Sequence, residues 1–485
     1  QPTSQPTPQP SFHPTTSVAP TTTPAPTSDP TSLLFGSLSF LGSVSSGQYL
    51  NKPGGIACSA AFDYCYVTGY TSNSLAVLDM SQACCPEVVG GYQADDDDDS
   101  FDGPAGIALD EERSVVFVAA YSGNSLAVID ISDPSSPEYL ADVEDDTTLS
   151  GAQSVAYDAS LEYCFVASYL GDRLTVVNVQ SLGTPTVIGS VYDATYLNYA
   201  SSVLCDSSRA LCYVCAYNGN RLSTVNVSIP SSPVVTGKMT SSSNYLRGAW
   251  GLDCDLEAHI CYVSAYNADA FTAVNVTSST SPKVVGYYSD GTYMDGPRGV
   301  VLDSVHGLAF VGVEGSDAVT VMDVSDVTTP SMLYSITSSS RLDGALNLVY
   351  NQKYKRLAAT AKTGDEVTVL AVNGEYVKSF YPSPLPTSVP TATPLPTSLP
   401  TFNPTSQPTL VPTLLPSSNP TGIPIPSPSN IPTPMPTCTS SLNVSYAYTS
   451  TYTSTNEFEI DWESCRYFDE DITLDIYACR YSSNS

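Results

Sequence analysis

One repeating unit runs through the middle of this 485-residue chain and limits its possible folds more than any other feature. The unit is clearest at 103–143, which reads GPAGIALDEERSVVFVAAYSGNSLAVIDISDPSSPEYLADV. One turn position can be followed through seven copies, at spacings of 51, 48, 48, 49, 48 and 48 residues. Its residues are Asn73, Asn124, Asp172, Asn220, Asp269, Asp317 and Asp365. A repeat of this length predicts seven similar structural units that pack against their neighbours.

Each copy predicts four short strands. In the second copy these are Gly106–Asp110, Val115–Tyr121, Leu126–Ile131 and a strand after Pro137. At the turn between the second and third strands, Asn and Asp suit a positive φ or a side chain that bonds its own backbone. A second column closes the third strand, and we expect its side chains to cap the next turn: Asp79, Asp130, Asn178, Asn226, Asn275 and Asp323.

Four antiparallel strands every 48 residues or so predict an all-β fold, a seven-bladed β-propeller over residues 33–381. A solenoid is the weaker alternative, because it requires parallel coils and different turns. The segment SLAVIDISDPSSPEYLADV at 125–143 resembles the LVIVD-type propeller repeat of many surface proteins. The resemblance extends over about 38–380 and implies the propeller fold, but propellers serve many functions and it implies no particular one.

Residues 39–44 read as a surplus fourth strand, since SFLGSV there is similar to TVIGSV at 186–191. The seventh copy also predicts its own hairpin, VTVLAV-NG-EYVKSF. Three arrangements are open for 39–44: it adds outside the last blade and closes the ring, it displaces 376–380, or it pairs with a neighbouring molecule. We favour the first.

Two segments, 1–32 and 382–437, are rich in Pro, Thr and Ser. They hold 27 of the 38 prolines of the chain, no Lys or Arg, and one acidic residue, Asp29. Such a composition cannot form a packed core, so we predict extended polyproline II stalks that carry O-linked glycans. The remaining segment, 438–485, alternates apolar and polar residues and predicts a small cysteine-containing β-module.

Three cysteine pairs share one spacing within the repeat: Cys58 and Cys65, Cys205 and Cys212, Cys254 and Cys261. Each pair falls on the first and second strands of a hairpin, so we predict three disulfides. No partner is assigned to Cys84, Cys85, Cys164, Cys215, Cys438, Cys465 and Cys479. Disulfides together with the sequons at Asn226, Asn275 and Asn443 predict an N-glycosylated, extracellular protein.

Two groups of side chains are candidate binding residues. A column at the end of the second strand, Tyr70, Tyr121, Tyr169, Tyr217 and Tyr266, predicts an aromatic rim that stacks on sugars or a partner protein, unless it only packs between blades. An acidic loop offers oxygen ligands suited to Ca²⁺, unless it is simply solvated. Its residues are Asp95, Asp96, Asp97, Asp98, Asp99 and Asp102. No other cofactor is expected.

Net charge, hydropathy and the absence of catalytic motifs argue against several function classes. A net charge of −31 disfavours nucleic acid and anionic membranes as partners. No apolar run is long enough to span a membrane. The three histidines, His13, His259 and His306, accompany no catalytic motif, so no enzymatic activity is predicted.

The PTSxPT repeats resemble those of surface proteins from diatoms and related heterokont algae, and a propeller with stalks is similar to the glycoproteins of extracellular filaments such as mastigonemes. This resemblance implies a structural subunit of an extracellular filament or flagellar appendage. Its partners would be copies of itself, other filament glycoproteins and covalent glycans. The alternatives are a monomeric cell-surface adhesion or glycan-binding propeller, and a propeller enzyme with a channel site.

Overall fold

The computed structural model describes residues 37–82, 84–95, 99–239 and 244–373. Within these residues the chain forms 28 β-strands, which assemble into seven four-stranded antiparallel sheets. The only helices of this part of the chain are three short 3₁₀ helices, Asp99–Phe101, Asn244–Leu246 and Tyr266–Ala268. None of them could span a membrane. The predicted all-β, seven-bladed propeller is therefore confirmed.

Blades 1 to 4 are each built from four consecutive strands. Blade 1 holds β2 (Pro53–Cys58), β3 (Tyr64–Gly69), β4 (Ser74–Asp79) and β5 (Glu87–Gln93). Blade 2 holds β6 (Pro104–Asp110), β7 (Val115–Ala120), β8 (Ser125–Asp130) and β9 (Glu138–Glu144). Blade 3 holds β10 (Ala152–Asp158), β11 (Tyr163–Ser168), β12 (Arg173–Asn178) and β13 (Thr186–Tyr192). Blade 4 holds β14 (Ala200–Asp206), β15 (Leu211–Ala216), β16 (Arg221–Asn226) and β17 (Val234–Gly237).

The last blade differs from the others in its fourth strand. Blade 5 holds β18 (Ala249–Asp255), β19 (Ile260–Ala265), β20 (Ala270–Asn275) and β21 (Lys283–Ser289). Blade 6 holds β22 (Pro297–Asp303), β23 (Leu308–Val313), β24 (Ala318–Asp323) and β25 (Ser331–Thr337). Blade 7 holds β26 (Ala345–Asn351), β27 (Arg356–Ala361), β28 (Glu366–Asn373) and, from the start of the described chain, β1 (Ser37–Ser45).

The hydrophobic core lies between the blades. Seven apolar clusters occur, and each one joins two neighbouring blades. Between blades 2 and 3, for example, Phe117 and Val128 pack with Leu149 and Val166. The two middle strands of each blade are covered on both faces, which explains why β7 (VVFVAA) is continuously apolar and fully buried. Each such valine or phenylalanine side chain contributes roughly 1.5–3 kcal/mol through burial.

The turn column links each blade to the next. All seven residues have a positive φ, from 47° to 55°, as the sequence predicts. Their side-chain oxygens do not bond their own turn, however: Asn124 Oδ1 accepts a hydrogen bond from the backbone N–H of Gly151 in blade 3 (2.8 Å). The same bond occurs at every junction, with distances from 2.7 to 3.1 Å. At the last junction, Lys52 N–H of blade 1 donates to Asp365 of blade 7 (2.7 Å).

The second column caps the turn that follows the third strand, as predicted. In each of the six copies the side-chain oxygen accepts a hydrogen bond from the backbone N–H two residues later, at 2.7–2.9 Å. Asp130, for example, accepts from Ser132. These short bonds fix the loop that leads to the fourth strand.

Strand β1 is itself the fourth strand of blade 7. It pairs antiparallel with β28 over its whole length, from Ser37 opposite Asn373 to Ser45 opposite Glu366. The chain therefore closes its own ring with 39–44, as favoured, but β1 is the fourth strand of blade 7 and not an additional strand outside it. The other edge of β28 pairs with β27, so both of its edges are occupied. Residues 376–380, which the second arrangement would displace, lie outside the described residues.

The contacts of β1 extend to both neighbours of blade 7. Leu38 and Phe40 pack in the cluster with blade 6, whereas Leu41 and Val44 pack in the cluster with blade 1. A β-bulge between Phe40 and Gly42 permits this change of side. At Gly42 a Cβ atom would lie 2.3 Å from the carbonyl oxygen of Cys84, so only glycine allows the loop of blade 1 to approach.

The register of the strands defines two ends of the propeller. We call the end that carries the turn column the turn face; here β28 begins and β1 ends. At the opposite end, Ser37 and Asn373 lie side by side, so we call it the stalk face. The first and last described residues of the propeller, Ser37 and Asn373, are therefore neighbours on the stalk face of blade 7.

Candidate binding site at the mouth of the central channel

The first strands of all seven blades surround one cavity of about 470 Å³ on the propeller axis. Its walls include glycines and small polar side chains: Gly55, Gly106, Ser154, Ser202, Gly251 and Asn347. At the turn face its rim includes Tyr70, Tyr121 and Tyr169. A cavity of this volume lies within the range of small-ligand sites, about 300–1,000 Å³.

The five predicted tyrosines form a continuous arc around this mouth. We call Tyr70, Tyr121, Tyr169, Tyr217 and Tyr266 the tyrosine arc. Successive ring centroids are 6.3, 6.1, 6.2 and 6.4 Å apart, and every pair is tilted by 42–54°. The rings are half-buried, so the arc combines packing between blades with an accessible aromatic surface.

The repeat explains the even spacing of the arc. Each tyrosine follows the last residue of a second strand, and its backbone N–H donates to the carbonyl just before the first strand. Tyr121 donates to Gly103 (2.8 Å), and Tyr169 donates to Gly151 (2.8 Å). Burial raises the pKa of Tyr121 and of Tyr169, and neighbouring tyrosines add to the effect. The phenols therefore remain neutral hydrogen-bond donors at physiological pH.

Charged residues occupy the part of the rim where the tyrosine column is interrupted. Copies six and seven place Glu314 and Lys362 there, and these two approach to 3.8 Å. Glu314 also forms a 2.5 Å ion pair with Arg298. The Arg298 guanidinium lies 4.0 Å from the Trp250 ring and 4.1 Å from the Tyr266 ring. This cation–π stack fixes the end of the arc, because the guanidinium is held on three sides.

Sequence reasoning missed three residues of this site: Tyr199, Trp250 and Arg298. Trp250 lies between Tyr169 (6.0 Å) and Tyr217 (5.6 Å). Side-chain size varies along this column, so the signal in the sequence was only that Trp250 is its one aromatic residue. The equivalent positions of the other blades are Gly54, Ala105, Gln153, Ser201, Arg298 and Leu346.

Tyr199 has a positive φ of 56° where most other copies have glycine. Its ring stacks on Tyr169 with centroids 4.5 Å apart. Bulky residues rarely adopt this backbone region, and such outliers cluster at functional sites. The signal in the sequence was a tyrosine in a column of glycines.

The three predicted disulfides are present. Cys58–Cys65, Cys205–Cys212 and Cys254–Cys261 each join directly opposed residues of the first and second strands, with Cα atoms 4.0 Å apart. Of the other cysteines, Cys84 and Cys85 are exposed, with sulfur atoms 3.0 Å apart. Cys164 and Cys215 are buried, and burial raises the pKa of both thiols. Cys438, Cys465 and Cys479 lie outside the described residues.

The acidic loop and the sequons are only partly described. Asp95, Asp99 and Asp102 are described, whereas Asp96, Asp97 and Asp98 are not. Within the described ranges no group of three His, Cys, Asp or Glu residues is placed to hold a metal ion, so Ca²⁺ binding stays a prediction. Asn226 and Asn275 are half-buried, and their Oδ1 atoms cap turns. Asn443 lies outside the described residues, and glycosylation of all three stays a prediction.

Comparison with known proteins supports the fold. Residues 116–145 match the LVIVD repeat family. No curated protein matches the chain. Among solved structures, the chain is similar to Kuenenia stuttgartiensis hydrazine synthase, with 12% identity and a TM-score of 0.51 over 68% of this chain and 98% of that one. It is also similar to the Myceliophteria thermophila Cps50 (Swd1) β-propeller domain, with 9% identity and a TM-score of 0.54 over 69% and 100% of the two chains. At these identities the likeness shows the propeller fold alone.

Proposed function

We propose that this protein is a non-catalytic structural subunit of an extracellular glycoprotein filament or surface appendage. The observation that carries the proposal is the separation of the two faces. Ser37 and Asn373, the described residues nearest in the chain to the two Pro/Thr-rich segments, lie together on the stalk face, and the aromatic rim is on the opposite face. A rigid node with two segments on one side and a binding surface on the other suits repeated head-to-tail assembly.

Other features agree with a non-catalytic, extracellular role. The three cystines suit an oxidising compartment. Of the two histidines that the structure describes, His306 pairs with Asp303 (2.7 Å) in the hairpin between β22 and β23. His259 lies in the equivalent hairpin of blade 5, directly before β19. Both hairpins are on the stalk face, at the far end of the blades from the tyrosine arc.

Electron microscopy and sedimentation of the full chain, secreted from a eukaryotic host with its disulfides intact, test this function. We expect elongated assemblies with a propeller-sized bead at a regular spacing. Particles with the mass of one chain at all concentrations, with no higher assembly, would contradict the proposal.

A second candidate is a monomeric adhesion or glycan-binding protein. The tyrosine arc favours it, because aromatic rings stack on sugars as well as on proteins. A glycan-binding monomer would show saturable sugar binding without assembly, and the same sedimentation experiment separates the two candidates.

A further inference from the structure

We propose that the tyrosine arc of one chain binds the Pro/Thr-rich segment 382–436 of a second copy. This inference rests on the proposed filament function and names the contact that would propagate the filament. Three independent observations support it: the chemistry of the arc, the composition of the segment, and the position where the segment leaves the propeller.

The arc has the chemistry that binds proline-rich chains. Domains that bind proline-rich peptides use grooves lined by aromatic rings, since prolyl rings pack flat on them. A polyproline II backbone makes no internal hydrogen bonds, so its carbonyls remain free to accept from phenol donors. The tyrosine arc supplies four consecutive ring-to-ring steps of 6.1–6.4 Å, and burial raises the pKa of the Tyr121 and Tyr169 hydroxyls.

The segment has the charge that this surface accepts. Residues 382–436 contain 18 prolines and no Asp, Glu, Lys, Arg or His in a chain of net charge −31. The loops that follow the fourth strands carry carboxylates on the outer part of the turn face, among them Asp145, Asp193 and Asp290. An acidic segment of a second copy would be repelled there, whereas an uncharged one is not.

The position of Asn373 favours a second copy over a contact within one chain. The segment follows Asn373, which lies on the stalk face, while the arc is on the turn face. A contact from the stalk side of one molecule to the turn face of another is heterologous. Such contacts do not pair two identical surfaces, so they generate rings or open filaments.

Fluorescence of Trp250 offers a local probe of the arc, because the chain has only two tryptophans and Trp250 contacts Tyr169 and Tyr217. In a Trp462→Phe full chain, diluted until sedimentation shows single chains, we would titrate a synthetic unglycosylated peptide of residues 386–412. We expect a saturable change in fluorescence. The same peptide with every proline replaced by alanine should give none.

Variants of the arc sharpen the test. Tyr121 borders Tyr70 and Tyr169 without touching Trp250 in the ring contacts described above, so its replacement leaves the probe in place. Tyr121→Ala should weaken peptide binding about fivefold or more, whereas Tyr121→Phe keeps the ring and most of the affinity. Tyr192→Ala is the matched control, since this exposed tyrosine ends an outer strand on the same face.

Each alternative outcome overturns the proposal. These outcomes are no saturable response to the peptide, an equal response to its alanine version, or unchanged binding in Tyr121→Ala. A response to a neutral oligosaccharide but not to the peptide also overturns it, in favour of glycan binding. The filament function is judged separately: full-chain assemblies that persist in Tyr121→Ala contradict this contact and leave that function standing. Peptide binding by a chain that never assembles contradicts the filament function instead.

Discussion

Blades 2 and 7 have the same strand order, but they are made differently. Blade 2 is one continuous stretch from Pro104 to Glu144. Blade 7 takes its fourth strand, β1, from more than 300 residues earlier in the chain. The fourth strand of blade 2 is tethered by a short loop to β8, whereas β1 depends on its own pairing and packing. The difference shows that two blades of the same geometry can differ in how the chain connects their strands. Three pairs of substitutions, one member in each blade, compare the two blades.

The largest effect is expected at the bulge of the fourth strand. Gly42→Val in blade 7 should lower the free energy of unfolding by about 3 kcal/mol, because even the first added atom meets the Cys84 carbonyl. The equivalent residue of blade 2 is Ala141, which already carries a Cβ. Ala141→Val should therefore cost about 1 kcal/mol or less. Urea denaturation of both full-length variants measures the difference, and equal losses would contradict the steric cause assigned to Gly42.

An intermediate effect is expected at the end of the first strand. In blade 2, Asp110 accepts hydrogen bonds from Arg113 (2.5 Å) and from Tyr157 of blade 3 (2.7 Å). Burial opposes ionisation of this carboxyl, but these bonds outweigh it and lower its pKa below 3.8. Asp110→Asn should therefore reduce the unfolding free energy by about 1 kcal/mol at pH 7.

The effect of Asp110 should depend on pH. Because its pKa is lower in the folded state, the stabilisation is complete above the unfolded value of about 3.8 and is lost as the pH falls through the folded value. Blade 7 has neutral Asn351 in the same place, bonded to the Ala60 carbonyl of blade 1 (3.1 Å). Asn351→Ala should lower the free energy of unfolding by the same amount at pH 3 and at pH 7. Urea denaturation at both pH values measures these losses. If Asp110→Asn lowers the free energy of unfolding by the same amount at pH 3 and pH 7, the stabilising role assigned to the ionised carboxylate is contradicted.

The smallest effect is expected where β28 begins. Glu366 lies opposite Ser45 of β1, and burial raises its pKa above 4.5, although a bond to Ser43 and the charge of Arg341 oppose the shift. A raised pKa means that ionisation weakens the fold, so the penalty is present at neutral pH and disappears as the pH falls below the folded value. Glu366→Ser should raise the unfolding free energy at pH 7 by less than about 1 kcal/mol.

Blade 2 again supplies the control for Glu366. Its acid at this end is Glu144, which is exposed on the fourth strand opposite Ser125. Glu144→Ser should leave the stability unchanged between pH 4 and pH 7. If Glu366→Ser raises the free energy of unfolding at pH 4 as much as at pH 7, the Glu366 side chain acts through packing and not through its charge.

The sequence predicted the blades because their information is local. Strand alternation, the turn column and the cysteine spacing all recur within 50 residues, so seven copies reinforce one another. Ring closure could not be decided in the same way, since the strand at 39–44 fits the open edge of its own last blade as well as that of a neighbour. The hydrogen bond that the Asn124 side chain accepts could not be predicted from the sequence either, because its donor, Gly151, belongs to the next copy.

Only the part of the binding site that follows the repeat could be predicted from the sequence. The tyrosines of the arc share one column, and periodicity finds columns. Trp250 and Arg298 share one column, in which neither size nor charge repeats from blade to blade, and Tyr199 belongs to a column that is mostly glycine. A search for regularity does not find such residues. Their contact with the arc depends on the curvature of the ring, which places side chains of blades 3 to 6 around one axis.

The antiparallel pairing of β1 with β28 has a mechanical consequence. Because Ser37 and Asn373 are at the same end of the pair, a force that separates the two flanking segments pulls across the backbone hydrogen bonds, not along the strands. Such a load opens the pair one bond after another, beginning at Ser37, and so resists far less than a load shared by all bonds at once. A force applied between the two chain segments that flank one propeller would therefore separate β1 from β28 and open the ring. A force applied between one of these segments and the turn face would instead be carried by the whole propeller.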